Sequence, residues 1–293
     1  MNNKYAKKVD EDVIKKHEQM LYPVCRIRSK NVGGSGTVIY SDKDEEDKYH
    51  TFILTNHHVI ENSIKVQEKW DPSVGMEIKK EMRSPVDVEF FYYENFSKCK
   101  GVSGSYKGIV RDYWADADIA ILELDKHEEP VEYVAKTIPE EDIQDIKVFD
   151  EVWAVGASLG HEPLATYGHI VFMDEIIDDY PYWMSTAQTI FGNSGGAVFR
   201  YSKERDRYEF IGIPSRVAVT GLGFSQSPIT HMGWFIPPTT IYKFLRENDY
   251  EFIFNPDVTY EECMEKKKKK RERAKKLAMA KLGEVVDIED LFH

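Results

Sequence analysis

A serine set among glycines, in Phe191-Gly192-Asn193-Ser194-Gly195-Gly196-Ala197-Val198, lets the backbone crowd a reacting carbonyl and so suits a nucleophile. A serine hydroxyl is unreactive alone. It needs a base to take its proton and a carboxylate to orient that base. Both lie upstream. Leu54-Thr55-Asn56-His57-His58-Val59-Ile60 supplies imidazoles at the end of an apolar run, and Asp116-Ala117-Asp118-Ile119-Ala120-Ile121-Leu122-Glu123-Leu124 supplies carboxylates entering an apolar strand. Only one of His57 and His58 can face the serine, because neighbours on a strand end point to opposite sides. Among Asp112, Asp116 and Asp118, the last is favoured, since Ile119, Ile121 and Leu122 anchor the strand that follows it and fix its carboxylate. Asp116 is the fallback, and Asp112 reads as a solvated loop carboxylate.

The elements that must hold these residues are strands. Short runs rich in Val, Ile, Phe and Tyr recur at Thr37–Ile39, Phe52–Leu54, Val88–Tyr93, Ile119–Leu124, Val152–Val155, Ile170–Phe172 and Phe210–Ile213. Glycines, prolines and charged loops separate them, which predicts antiparallel all-β structure. The order His, Asp, Ser argues against the G-x-S-x-G elbow of α/β-hydrolases, whose acid and histidine follow the serine in a strand-helix alternation. No such alternation lies downstream here.

Thr55-Asn56-His57-His58-Val59, Asp118-Ile119-Ala120-Ile121-Leu122 and Gly192-Asn193-Ser194-Gly195-Gly196 resemble the triad motifs of trypsin-like peptidases, and most of all the HtrA/Deg-type branch. Gly34-Ser35-Gly36-Thr37-Val38-Ile39, Val152-Trp153-Ala154-Val155-Gly156 and Gly233-Trp234-Phe235-Ile236-Pro237-Pro238 are similar to that branch's flanking strands and come in the same order, so the likeness spans about Tyr22 to Leu245. It implies an all-β fold of two six-stranded antiparallel β-barrels, with short N-terminal and C-terminal helices. The boundaries expected are a helical extension at 1–21, a peptidase domain at 22–248 and a charged helical tail at 249–293. Within the domain, barrel one takes about 22–135, barrel two about 136–237 and a closing helix about 238–247. In the family pattern T-N-x-H-V, His58 falls on the general base and His57 on the variable position. The resemblance thus implies His58, Asp118 and Ser194 as catalytic residues in a cleft between barrels, acting through an acyl-enzyme. Backbone N–H groups of Gly192 and Ser194 would hold the oxyanion, at about 3 kcal/mol per donor. It also places Gln188 near the base of the pocket for the side chain before the cut bond, with Phe191 at its entrance. A carboxylate is missing there, which favours small or medium apolar side chains. Ser215 and Arg216 would lie on the strand that an extended substrate joins by main-chain pairing, and Pro214, without an N–H, departs from the family pattern at that edge.

Composition bounds the rest. The chain has 293 residues, 42% of them hydrophobic, enough to fill cores, and a formal charge of −12, which disfavours binding to nucleic acid. Three scattered cysteines, Cys25, Cys99 and Cys263, give neither a disulfide framework nor a zinc site. Val59 follows His58, so the disulfide common beside that histidine in secreted trypsins is not expected. Neither H-E-x-x-H nor a G-K-[ST] phosphate loop occurs, so no metal or other cofactor is expected. The polar start shows no signal peptide or membrane span, which gives a cytoplasmic location and no membrane contact as the expectation. Val13, Ile14, His17, Met20 and Leu21 have helical spacing and should pack on the barrels. Thr259 and Glu262 form a potential capping box for a helix through Lys266–Arg271, which Gly283 could end. That basic run reads as a solvated face, with an anionic partner or the acidic body as alternatives, and Ala274, Leu277, Ala278 and Leu282 add a short apolar stripe. Too few residues follow Leu245 for a PDZ domain. The function expected is a serine endopeptidase acting on proteins or peptides; the alternatives are a latent protease-fold binding or chaperone-like protein and an acyl hydrolase acting on esters.

Overall fold

Twelve strands close into two six-stranded antiparallel barrels in a computed structural model that describes residues 11–30, 32–71, 76–222 and 225–289. The first barrel contains β1 (Val24–Ser29), β2 (Val32–Lys43), β3 (Tyr49–Thr55), β6 (Val86–Glu94), β7 (Lys98–Trp114) and β8 (Ile119–Leu124), in the order β1-β2-β3-β8-β7-β6. Between its third and fourth strands, β4 (Ile64–Asp71) and β5 (Met76–Arg83) pair as a separate hairpin. The second barrel contains β9 (Glu151–Gly156), β10 (Leu164–Ile177), β11 (Tyr180–Ser185), β12 (Ala197–Ser202), β13 (Arg207–Leu222) and β14 (Ser225–Ile236), in the order β10-β11-β14-β13-β12-β9.

The strand period decides which residues meet. Along β8, Ile119 and Ile121 join the larger core, shared with the second barrel, while Ala120, Leu122 and Leu124 fill the first. Both faces of this strand are buried, as expected for one between two packed layers. The glycine- and serine-containing segment Gly101-Val102-Ser103-Gly104-Ser105 lies inside β7, where register shifts and the positive φ of Gly101 (116°) bend the strand without ending it.

The helices cross between barrels. The first, α1 (Glu11–Lys16), continues through a turn to Leu21, buries Met20 and docks on the second barrel: Tyr208 Oη donates to Asp12 Oδ1 (2.7 Å) and Tyr208 N to Gln19 Oε1 (2.8 Å). A short turn, α2 (His57–Ile60), follows β3, and α3 (Pro238–Glu247) follows β14. After α3 the chain returns to the first barrel, with Tyr250 packed on Phe52 and Phe252 on Tyr40. The last helix, α4 (Tyr260–Glu289), starts with the capping box: Thr259 N donates to Glu262 Oε2 (3.0 Å) and Glu262 N to Thr259 Oγ1 (3.2 Å). Its basic run is partly docked on the acidic body, since Lys267 pairs with Asp112 (2.5 Å) and Lys270 with Asp249 (2.7 Å). Asp112, read as a solvated carboxylate, is thus a structural anchor, and Tyr250 Oη also donates to it (2.5 Å). Gly283 does not end α4, because a glycine inside a helix costs only about 1 kcal/mol. Ala274 and Leu277 of the apolar stripe are exposed, and the side chains of Ala278 and Leu282 lie outside those described.

Candidate active site

Strand register brings the three motifs together. Thr55 of β3 pairs with Ala120 of β8, so the residues just after one strand adjoin those just before the other. Ala197 of β12 pairs with Val155 of β9, and Val198 with Gly212 of β13, which sets the Ser194 loop beside the ends of both. His58 and Ser194 line one cleft of about 470 Å³.

His57 and His58 lie on a helical turn, contrary to the expected strand end, and their rings diverge all the same. His58 Nδ1 lies 2.9 Å from Asp118 Oδ2 and 3.0 Å from Oδ1. An ionised carboxylate only accepts, so Nδ1 carries a proton, and in the neutral ring Nε2 presents the lone pair. The His57 ring stacks on Tyr113 at 4.9 Å, and burial lowers its pKa. Asp118 adopts a positive φ (58°), an uncommon conformation outside glycine, and its position is fixed from several sides. Asn56 Nδ2 and His57 N donate to its backbone carbonyl (2.8 and 3.2 Å), while His58 N (3.0 Å) and Ser215 Oγ (2.7 Å) donate to its carboxylate. Burial would raise the carboxyl's pKa, but the bonds from His58 and Ser215 outweigh it and leave Asp118 below its ordinary value. Ser194 and His58 share the cleft without a hydrogen bond among the described residues, a common relation where no substrate aligns the pair.

The glycine loop is shaped by contacts that sequence patterns did not single out. Phe191 carbonyl oxygen accepts from Leu159 N at 2.7 Å. A trans peptide points its C=O and N–H in opposite directions, so the Gly192 N–H faces away from Leu159. Gly192 has φ 98°, and a Cβ there would lie 2.5 Å from Ala157 O; both require glycine. Ser35 of β2 ties the barrels together at this point: its Oγ donates to Gly192 O (2.6 Å) and accepts from Ala157 N (2.7 Å), and its N–H donates to Ser194 O (2.8 Å). Ser158 Oγ donates to Asn193 Oδ1 (2.7 Å). Arg26 of β1, paired with Glu89 (2.6 Å), donates to Gly160 O and so holds the 158–160 turn against the loop.

The pocket wall differs from expectation. Burial alternates over residues 187–189, with Ala187 and Thr189 buried and Gln188 exposed. Thr189, and not Gln188, lines the cleft, beside Ile190, Phe191, Pro214, Val217 and Val219. A Cβ at Gly233 would meet Thr189 Oγ1 at 2.1 Å, which packs that wall tightly. Ser215 and Arg216 line the cleft as expected, but the Ser215 hydroxyl is engaged with Asp118, and Arg216 pairs with Asp178 (2.7 Å) over the Tyr182 ring. Pro214 serves the glycine loop through its carbonyl, which accepts from Gly195 N (3.1 Å). Cys25, Cys99 and Cys263 are free thiols. Among the described residues, no group of three or more His, Cys, Asp or Glu could hold a metal, and no helix is long and apolar enough to cross a membrane.

A model of the trypsin-like peptidase domain family matches residues 34–212. Among solved structures, the chain is similar to an HtrA-type protease, AlgW, with a tripeptide, at TM-score 0.54 and 17% identity. A serine-to-alanine variant of AlgW, also with a tripeptide, gives TM-score 0.55 and 16% identity. Each likeness covers 82% of this chain and 64% of the other, so the chain spans less than two thirds of those structures. At such identities the likeness is one of fold. No curated protein matches the sequence.

Proposed function

Because the chain belongs to the trypsin-like peptidase family, we propose that it is a serine endopeptidase in which Ser194 is the nucleophile, His58 the general base and Asp118 the group that orients it. One observation carries the reading: the Asp118 carboxylate receives both His58 Nδ1 and Ser215 Oγ, while His58 Nε2 has no hydrogen bond among the described residues and His58 lines the cleft that holds Ser194.

In this mechanism His58 Nε2 takes the Ser194 hydroxyl proton as Oγ bonds to the peptide carbonyl carbon. The carbonyl π pair moves onto oxygen, and the Gly192 and Ser194 N–H groups stabilise the oxyanion. Collapse breaks the C–N bond, His58 returns its proton to the departing amine, and an ester to Ser194 remains. Water, deprotonated by His58, then releases the acid. Among the described residues lining the cleft there is no carboxylate, and Ile190, Phe191, Val217 and Val219 are apolar. These support cleavage after small or medium apolar side chains. The Ser215–Val217 segment of β13 supports main-chain pairing with an extended substrate.

Fluorophosphonate labelling with mass mapping of the adduct tests the site. The adduct is expected on Ser194 and is expected to vanish in His58→Ala, while Ser194→Ala should lower turnover of a cleaved peptide on the order of 10⁶-fold. A wild-type protein that resists the probe yet binds peptides would instead have a latent, binding-only cleft. Labelling with ester turnover alone would make it an acyl hydrolase.

A further inference from the structure

The Ser194 cleft carries one fixed charge. Among the described residues lining it, Arg216 is the only lysine, arginine, aspartate or glutamate, and Ile190, Phe191, Val217 and Val219 around it are apolar. A cation beside apolar walls is less screened than one on an open surface, so it discriminates more strongly between charged and neutral groups that enter the cleft.

Strand geometry decides which part of a bound chain the guanidinium meets. β12 pairs with β13 only as far as Gly212, so among the described residues that edge of β13 is open from Ser215 onward. On the other edge the register with β14 skips Ser215, while Pro214 pairs with Phe235 and Arg216 with Trp234. Such an irregularity re-aims side chains. The Ser215 hydroxyl reaches Asp118, and Arg216 turns across Tyr182 with Cζ 5.2 Å from the ring centroid. Because Ser215 bonds the carboxylate that orients His58, it lies level with the reaction centre. An antiparallel substrate strand with the residue before the cut bond opposite Ser215 then sets the second residue back opposite Arg216 and the fourth diagonal to it. Both share the face of Arg216, and the third points away.

The ion pair of Arg216 Nη2 with Asp178 Oδ2 (2.7 Å) leaves this charge available, because Asp178 is 68% exposed and pairs facing water contribute little. A guanidinium also offers several N–H donors in a planar fork. Arg205 of this chain holds two carboxylates at once, Glu209 and Asp142, each at 2.6 Å. Asp178 and Asp179 both have positive φ (51° and 69°) in the two-residue turn between Ile177 and Tyr180, a conformation that aspartate tolerates, so the turn by itself accounts for them. Neither lines the cleft, so the cation is the charge that a substrate meets.

Resting on the reading of this cleft as the peptidase site, we propose that Arg216 selects substrates with a carboxylate side chain, aspartate or glutamate, at the second or fourth residue before the cut bond. The same charge rejects lysine and arginine there, a repulsion that adds to the selectivity.

The test uses peptides with alanine before the cut bond and glutamate, glutamine or lysine at the second, third or fourth residue back. Preference is read as kcat/KM on the wild-type chain and as Kd on the full chain carrying Ser194→Ala, which needs no turnover. Glutamate is expected to exceed glutamine about tenfold at the second or fourth position, the scale of one hydrogen bond between charged groups. At the third position the two should be equal, and lysine should fall below glutamine at the second or fourth. Arg216→Gln should level glutamate with glutamine. Arg216→Glu should favour lysine over glutamate, an inversion that a merely structural clasp to Asp178 would not produce. Asp178→Asn, which removes the competing carboxylate, should widen the ratio of glutamate to glutamine. Equal handling of glutamate and glutamine by the wild type, a preference that survives Arg216→Gln, or one as large at the third position would overturn the proposal and leave the Ser194 mechanism standing. A charge preference in Kd without any cleavage would uphold the selectivity and remove the peptidase reading. Peptides neither cleaved nor bound would sink both.

Discussion

At the scale of single residues, Asp118 sets the pH response. Its folded pKa is depressed, so the stability it contributes is present above the unfolded carboxylate value, about 3.9, and is lost as pH falls through the lower folded value. Ser215→Ala removes one of the bonds responsible and brings the folded value nearer the unfolded one, so the variant should be less stable at neutral pH and should lose less stability than the wild type on acidification. Chemical unfolding from neutral pH down to about pH 3 would show it; parallel curves would remove Ser215 from this role. The same variant should lower turnover about tenfold or more, the worth of a hydrogen bond to a charged group. Ser194, His58 and Asp118 were legible because each stands in a string of constrained neighbours: glycines, a valine, a run of isoleucines. Ser35, Ser158 and Ser215 were not, because a lone serine carries no pattern and its partners are distant in the chain. Gln188 illustrates a different limit. Counting back from the serine reaches the neighbourhood, but which of two adjacent side chains turns inward depends on the local path of the chain, and here it is Thr189.

At the scale of elements, the turn 158–160 acts as a backstop for the glycine loop. It receives the Phe191 carbonyl on one side and is held by Arg26 on the other. Arg26→Ala should let the turn relax and the Phe191–Gly192 peptide rotate, with labelling of Ser194 slowed about tenfold or more, since one oxyanion donor is worth about 3 kcal/mol. Arg26→Lys should recover part of the rate. Circular dichroism that stays native in both, with labelling unchanged in the alanine variant, would dismiss the backstop. Periodicity found the runs that became β2, β3, β6, β8, β9, β10 and β13 because they alternate or are buried on both faces. It missed the β4–β5 hairpin, whose sequence is dense in charged residues, and the glycine-rich middle of β7. The capping box was readable because it is local, pairing residues three apart.

At the scale of the molecule, the first helix covers the second barrel and the last covers the first. Tyr208 binds Asp12 and Gln19 on one side of the fold; on the other, Tyr260 stacks on His50 at 4.5 Å and Lys267 reaches Asp112. Removing residues 11–21 should therefore raise hydrogen exchange first in β10 and β13 of the second barrel, although β1 is nearer in sequence. Exchange rising only in β1 and β6 would refute this. None of these crossings was visible as pattern, because each joins residues between 155 and 210 positions apart.

The crossing also bears on descent. A recombination event that exchanged one barrel for a relative's would separate each barrel from the helix that shields it, leaving Met20, Tyr250 and Phe252 facing unmatched surfaces. The two halves are bound to be inherited as a pair, each carrying the other's cover.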